Sequence, residues 1–240
     1  MTRIEFIRNE EKKYHDYCYD NYKLFEEGSW LYKPVKTVTD LLHLFDDKEN
    51  VKVLDLGCGV GRNSIPIAEA IKSKNGKVVC VDLLDSALLK LIQYSKEYKV
   101  EEVILTEKAD LGNYEIKTNE YDLIVAISSL EHVESEVALN KIIQQMADGT
   151  QNNGVNCIIV NSEVTEIDEE TNEKLDALME VNLSTEDMIK KISSFYTGWE
   201  LFKSEVKTLE YSIIRNGKPV LLKTNAITYV VRKNNEKYFN

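Results

Sequence analysis

Long apolar runs are missing from this 240-residue chain, and none approaches the roughly 20 residues that cross a bilayer, so no membrane partner is expected. The opening Met1-Thr2-Arg3-Ile4-Glu5 lacks the basic start and apolar stretch of a signal peptide, which makes a cytoplasmic location the expectation. Cysteine is scarce as well. Cys18, Cys58, Cys80 and Cys157 show no C-x-x-C spacing and read as buried free thiols in a reducing compartment, neither zinc ligands nor disulfides, and no metal site is expected. Basic charge is in deficit, with 30 Lys and Arg against 41 Asp and Glu and a net charge of −11. Such a surface repels phosphates on average, which argues against a nucleic-acid partner. What remains is 43% hydrophobic residues over a length able to bury a full core, predicting one domain over 1–240 with a helical segment at 1–45 and a core at 46–240.

Glycine numbers only ten, but three stand in one stretch, Val51-Lys52-Val53-Leu54-Asp55-Leu56-Gly57-Cys58-Gly59-Val60-Gly61-Arg62-Asn63-Ser64. This reads as a buried strand, a tight turn and a helix start, in which backbone can approach a ligand closely and the helix offers unpaired N–H groups. A G-x-G-x-x-G dinucleotide fingerprint is not met, because Gly61 comes one place early and Arg62 occupies the required position. Asp55, two residues before the first glycine, would also repel a pyrophosphate. No lysine follows in the manner of a phosphate loop. S-adenosylmethionine (SAM) suits the stretch better, since it has no phosphate, its carboxylate suits the helix start and its ammonium an acid such as Asp55.

Further acids fall at the ends of expected strands. Strand 77–82 ends in Asp82 followed by Leu83, Lys108-Ala109-Asp110-Leu111 comes next, and strand 121–127 runs into Ser128-Ser129-Leu130-Glu131-His132-Val133. Strands are also expected at 51–56, 102–106 and 155–161, and helices at 64–74, 86–98 and 134–147. Helix-length connections demand parallel pairing, and therefore a doubly wound α/β sheet with its ligand at the carboxyl ends of the strands.

These four motifs together resemble the class I SAM-dependent methyltransferases. The resemblance implies a Rossmann-like, mostly parallel seven-stranded sheet with an antiparallel C-terminal strand. It implies SAM as cofactor, S-adenosyl-L-homocysteine as product, and cofactor contacts from Asp55, Gly57, Cys58, Gly59, Arg62, Asn63, Asp82, Leu83, Asp110, Leu111 and Ser128. Gly61-Arg62-Asn63-Ser64 and Phe195-Tyr196-Thr197-Gly198-Trp199-Glu200 further resemble the tellurite-resistance, TehB-like branch over residues 50–232. Where members of that branch can carry a His-Arg pair this chain has Leu209-Glu210-Tyr211-Ser212, and Gln151-Asn152-Asn153-Gly154 replaces a Pro-Gly-Gly turn, so tellurite is not the expected acceptor.

His132 is the candidate catalytic base because it titrates near neutrality, and it reads equally as a structural residue lining the pocket. The run from Glu163 to Glu180 carries eight acids against Lys174, and reads either as a solvated loop and helix or as a cation-attracting rim. Ser184-Thr185-Glu186-Asp187 is a capping box for a further helix, Trp199–Val206 and Asn225–Val231 read as strands, and Arg215-Asn216-Gly217-Lys218 is a hairpin signal. In the first 45 residues Tyr14, Tyr17, Cys18, Tyr22 and Phe25 recur at helical steps, with a second helix through Val38, Leu41, Leu42 and Phe45. Two readings stand: a helical layer packed on the sheet, or a lid in which Tyr22, Trp30 and Tyr32 face a sulfonium. With no [DNS]-P-P-[YF] segment and no Pro-Cys nucleophile, the expected partner is a small-molecule methyl acceptor reacting at O, N, S or a heavier chalcogen. The alternative is a SAM-binding regulatory or interaction module without transferase activity. The pattern carries no signal for oligomeric state.

Overall fold

The computed structural model describes residues 1–215 and 217–234. In chain order the elements are α1 (Arg3–Asn21), α2 (Lys36–Leu41), β1 (Lys52–Leu56), α3 (Ser64–Ile71), β2 (Lys77–Asp82), α4 (Asp85–Glu97), β3 (Ile104–Lys108), β4 (Tyr121–Ile127), α5 (Glu136–Gly149), β5 (Thr150–Asp168), β6 (Lys174–Leu175), α6 (Thr185–Phe195), β7 (Glu200–Arg215) and β8 (Lys218–Arg232). The sheet runs β3-β2-β1-β4-β5-β8-β7, with β6 paired to β5 off this path. Strands β1 to β5 are mutually parallel, while β8 is antiparallel to both β5 and β7. The seven expected strands are therefore present, and β6 is an eighth.

Alternation along the buried strands divides the core into two layers. Val53, Val78, Cys80, Leu123, Val125 and Cys157 face α3, α4 and the N-terminal helices, whereas Leu54, Leu56, Val81, Ile124, Ala126 and Ile158 face α5 and α6. Period-two side chains with helices on both faces are what a parallel sheet requires. The register Asp55↔Cys80, Leu56↔Val81 and Leu56↔Ala126 levels the carboxyl ends of β1, β2 and β4, so the loops that leave them share one edge.

Four local expectations are corrected. Strand β3 starts two residues later than the sequence indicates, because Val100 accepts backbone bonds from Val103 and Ile104 and holds a turn there. The acidic run is a solvated loop only in part and forms no helix: Glu169, Glu170, Glu173 and Asp176 are exposed, whereas residues 163–168 continue β5. Past a bulge between Ser162 and Thr165, β5 keeps pairing with β8 as far as Asp168↔Val220, and the Glu166 and Asp168 side chains are buried. Helix α1 ends at Asn21, so Tyr22 and Phe25 lie beyond it, and Tyr17 points outward, 59% exposed. The two expected C-terminal strands are the outer ends of one long hairpin; within its turn signal Gly217 is left-handed, and Asn216 lies outside the described residues. Ser184 does cap α6, accepting from the Asp187 amide at 3.1 Å.

Candidate active site

The loop after β1 is fixed from both sides. The amides of Gly57 and Cys58 both donate to the Val81 carbonyl, at 2.8 and 3.0 Å, and Ser129 Oγ donates to the Leu56 carbonyl at 2.7 Å. Gly57 is left-handed with φ +74°, and a Cβ there would lie 2.3 Å from the Ser129 Cβ, so only glycine lets the loops after β1 and β4 approach this closely. Gly59, also left-handed, faces the Tyr19 hydroxyl of α1 at 3.1 Å from where its Cβ would stand.

Asp55 lies under this loop, almost fully buried, and accepts from Ser64 Oγ at 2.5 Å at the start of α3. Burial raises its carboxyl to about 6, against the opposing bond from Ser64. Asp82 ends β2 with both oxygens occupied by backbone, Gly59 N at 2.8 Å and Leu84 N at 2.9 Å, and burial pushes its pKa up as well. The neighbouring Leu83 is 41% exposed, an apolar side chain held open at the strand end. Ser128 follows β4 in left-handed backbone, φ +50°, its amide bonded to the Ile159 carbonyl at 2.7 Å. A non-glycine residue in that conformation stores strain, which collects at functional positions. Arg62 and Asn63 are turned toward the N-terminal segment: Arg62 Nη1 donates to the Trp30 carbonyl at 2.8 Å, and Asn63 Oδ1 accepts from the Val35 amide at 2.9 Å.

Helix α1 crosses above these loops. Arg8 Nη1 stands 2.7 Å from Asp110 Oδ2, while Asp110 Oδ1 accepts from the Gly112 amide at 3.0 Å. His15 lies edge-on to Trp30 with ring centroids 5.9 Å apart, and burial lowers its pKa. Of the three expected lid aromatics, Trp30 joins this group through His15, Tyr19 and Arg62. Tyr22 packs against Tyr17 and Gly28, and Tyr32 lies beside Lys33. Leu111 packs partly buried on the α5 side of the core, and Cys58 is buried.

His132 Nδ1 meets Glu180 Oε2 at 3.0 Å. Burial alone would lower its pKa, but Glu180, Glu11 and Glu131 together raise it to about 9, so the imidazole is protonated at neutral pH and must lose that proton before it can act as a base. Glu131 is completely buried, with Oε1 accepting from both the amide and the Nδ2 of Asn161 at 3.0 and 2.6 Å. Sequence reasoning did not single out Arg8, Glu11, His15, Tyr19, Glu131, Glu166, Glu180 or Arg215 as site residues. The α1 members had a signal in the three- and four-residue steps from 8 to 11, 15 and 19; Glu180, 48 residues from His132, had none.

Comparison with known proteins bears on this arrangement. Residues 53–154 match the family model described as a methyltransferase domain. That match spans less than half of the chain, so residues 53–154 are similar to a methyltransferase domain. The sterol 24-C-methyltransferase of Debaryomyces hansenii is 28% identical over 92 residues, 38% of this chain and 24% of that protein. The ubiquinone biosynthesis O-methyltransferase of Rickettsia canadensis is 27% identical over 112 residues, 46% of this chain and 43% of that one. The aligned stretch thus spans less than half the length of either relative. TehB from Haemophilus influenzae superposes with a TM-score of 0.57 at 22% identity, covering 81% of this chain and 62% of its own. The fold is Rossmann-like and resembles that of TehB. Among the described residues no helix is long and apolar enough to cross a membrane.

Proposed function

We propose that this protein transfers a methyl group from SAM to a small-molecule acceptor. The observation that carries the reading is the shared edge of β1, β2 and β4, where left-handed glycines, the half-buried carboxylate of Asp82, the open Leu83 and the strained Ser128 converge. These residues fit the cofactor. Gly57 and Gly59 leave backbone free of Cβ atoms, Asp82 is a desolvated acceptor for hydroxyl donors, and Leu83 offers an apolar contact to a flat ring. In the resemblance, Asp82 would hold the ribose hydroxyls, Asp110 and Leu111 the adenine, and the loop from Gly57 to Asn63 the methionine end. Asp55, already braced by Ser64, would balance the ammonium from below.

Bound SAM supplies a methyl group on a sulfonium, a good leaving group. The chain therefore has mainly to orient a nucleophile and exclude water, and an absent catalytic triad counts for little. Residues 1–45 serve as the lid in this reading, with Arg8, His15, Tyr19 and Trp30 as its inward side chains. The overall excess of acid over base supports a small molecule over a nucleic acid.

Titrating SAM and NADH side by side, then following S-adenosylhomocysteine formation with small thiols, selenols, amines and phenols, tests the proposal. SAM binding that falls by about 100-fold in Asp82→Ala, together with product from at least one acceptor, is the expected result. Tight SAM binding with no product from any acceptor would favour the regulatory module, and preference for NADH would overturn the cofactor assignment.

A further inference from the structure

Beneath α1 lies a group of charges that the cofactor site does not use. Arg215, at the end of β7, holds Glu11 at 3.2 Å and Glu166 at 3.4 Å. Glu180 pairs with His132, and the Val181 amide donates to the Glu131 carbonyl at 3.0 Å, which sets Glu180 beside Glu131. The cations here are Arg8, Arg215 and the protonated His132. Against them stand Glu11, Glu131, Glu166 and Glu180, and Arg8 is shared further with Asp110. Burial pushes the Glu131 carboxyl up, and when it is ionised the balance is negative in a place largely shut off from water.

One acceptor in this group has no partner. Glu131 is completely buried, both Asn161 bonds go to Oε1, and among the described residues Oε2 receives none. A free oxygen on a buried carboxylate is costly unless a donor is supplied from elsewhere. A cation already stands nearby: the Arg8 guanidinium, delivered by a helix that buries only Ile7, Cys18 and Tyr19, reaches Asp110 and comes within 3.8 Å of Glu180. The Nε atoms of Arg8 and Arg215 also lack partners, but each guanidinium already faces two carboxylates, and an anionic ligand would add charge to an excess of the same sign.

Building on the methyl-transfer reading, we propose that the acceptor carries a guanidinium or ammonium group. That group binds at Glu131 and Glu180, and in its absence Arg8 of α1 stands beside Glu180, 3.8 Å away and paired to Asp110. The inference assigns Glu131 as the group that recognises the acceptor's charge, and α1 as a stand-in that must withdraw before the acceptor enters.

The test uses the full chain loaded with S-adenosylhomocysteine and calorimetric titration of agmatine and tyramine against neutral 4-ethylphenol and anionic 3-(4-hydroxyphenyl)propionate. Arg8→Ala, which vacates the place, is expected to bind agmatine about tenfold more tightly than the parent chain and to prefer the two cations over the neutral probe by about the same factor. Adding Glu131→Gln, which keeps an acceptor for both Asn161 bonds, should reduce that preference to about threefold or less. Binding of S-adenosylhomocysteine without any preference for the cations in Arg8→Ala, or with a preference for the propionate, overturns the proposal and leaves the methyl-transfer reading intact. A preference for agmatine in a chain that binds no S-adenosylhomocysteine would remove the methyl-transfer reading and keep the cation site.

Discussion

Arg8 and Asp110 form an ion pair, 2.7 Å between Nη1 and Oδ2, that ties the first helix to the loop following β3. Asp110 is the acid that the family resemblance places beside adenine, so in the proposed reading Arg8 and the cofactor would compete for one carboxylate. Neither partner is fully buried, which limits the pair to about 1 kcal/mol. Arg8→Ala is therefore expected to strengthen SAM binding by about fivefold in calorimetry. Weaker binding would mean that Arg8 supports the cofactor instead of competing with it.

Trp30 sits where the N-terminal segment meets the residues that follow the glycine loop. Its carbonyl accepts from Arg62, its ring lies 5.2 Å from the Arg62 guanidinium, and over a third of the residue is exposed. Removing the ring withdraws little core surface but opens the route to His15 and Tyr19. We expect Trp30→Ala to weaken SAM binding by about fivefold while the melting temperature falls by only about 2–4 °C. A large loss of stability with unchanged affinity would make the segment a packing layer and not a lid.

His132 predicts a pH dependence with a definite sign. Its folded pKa, raised to about 9, lies above the ordinary 6.5, so the fold favours the protonated imidazole. The resulting stabilisation is complete below about pH 6.5 and is lost as pH rises through about 9. Urea unfolding from pH 6 to 10 should show a loss on the order of 2 kcal/mol that His132→Gln largely removes. An identical profile in the variant would show that the Glu180 pair does not hold the proton.

The convergence of strand ends on which the proposed cofactor site rests was legible in the sequence because it depends on neighbours along the chain. Gly57, Asp82 and Ser128 each end a short apolar strand, and parallel pairing brings strand ends together whatever the helices between them contain. The charged group beneath α1 was not legible, because its contacts join distant segments: Arg8 to Asp110, His132 to Glu180, Arg215 to Glu11. Glu166 and Glu180 were hidden for a further reason. Within a run of acids, charge alone suggests solvent, and only the extension of β5 along β8 turns Glu166 inward. The aromatic spacing after residue 13 indicated a helix correctly but pointed to Tyr17 and Tyr22, while the side chains that reach the motifs are polar or occupy other positions on α1.

Gly57 tests whether the approach of two strand-end loops, rather than turn flexibility, requires glycine. An alanine there takes up left-handed backbone at about 1 kcal/mol, and its Cβ meets Ser129 at 2.3 Å, a clash that adds about 1–3 kcal/mol. Ser129→Gly removes the clash but also the hydroxyl bond to the Leu56 carbonyl, a loss of about 1 kcal/mol. In a double-mutant cycle followed by urea unfolding, Gly57→Ala should therefore cost about 1–3 kcal/mol less in the Ser129→Gly background than in the parent. Costs that add within about 0.5 kcal/mol would assign the requirement to backbone conformation alone. The cofactor reading adds a second expectation for the same chains. If close contact between the loops after β1 and β4 shapes the binding edge, the double variant should regain stability without regaining SAM affinity, because Ser129 no longer holds the carbonyl that ends β1.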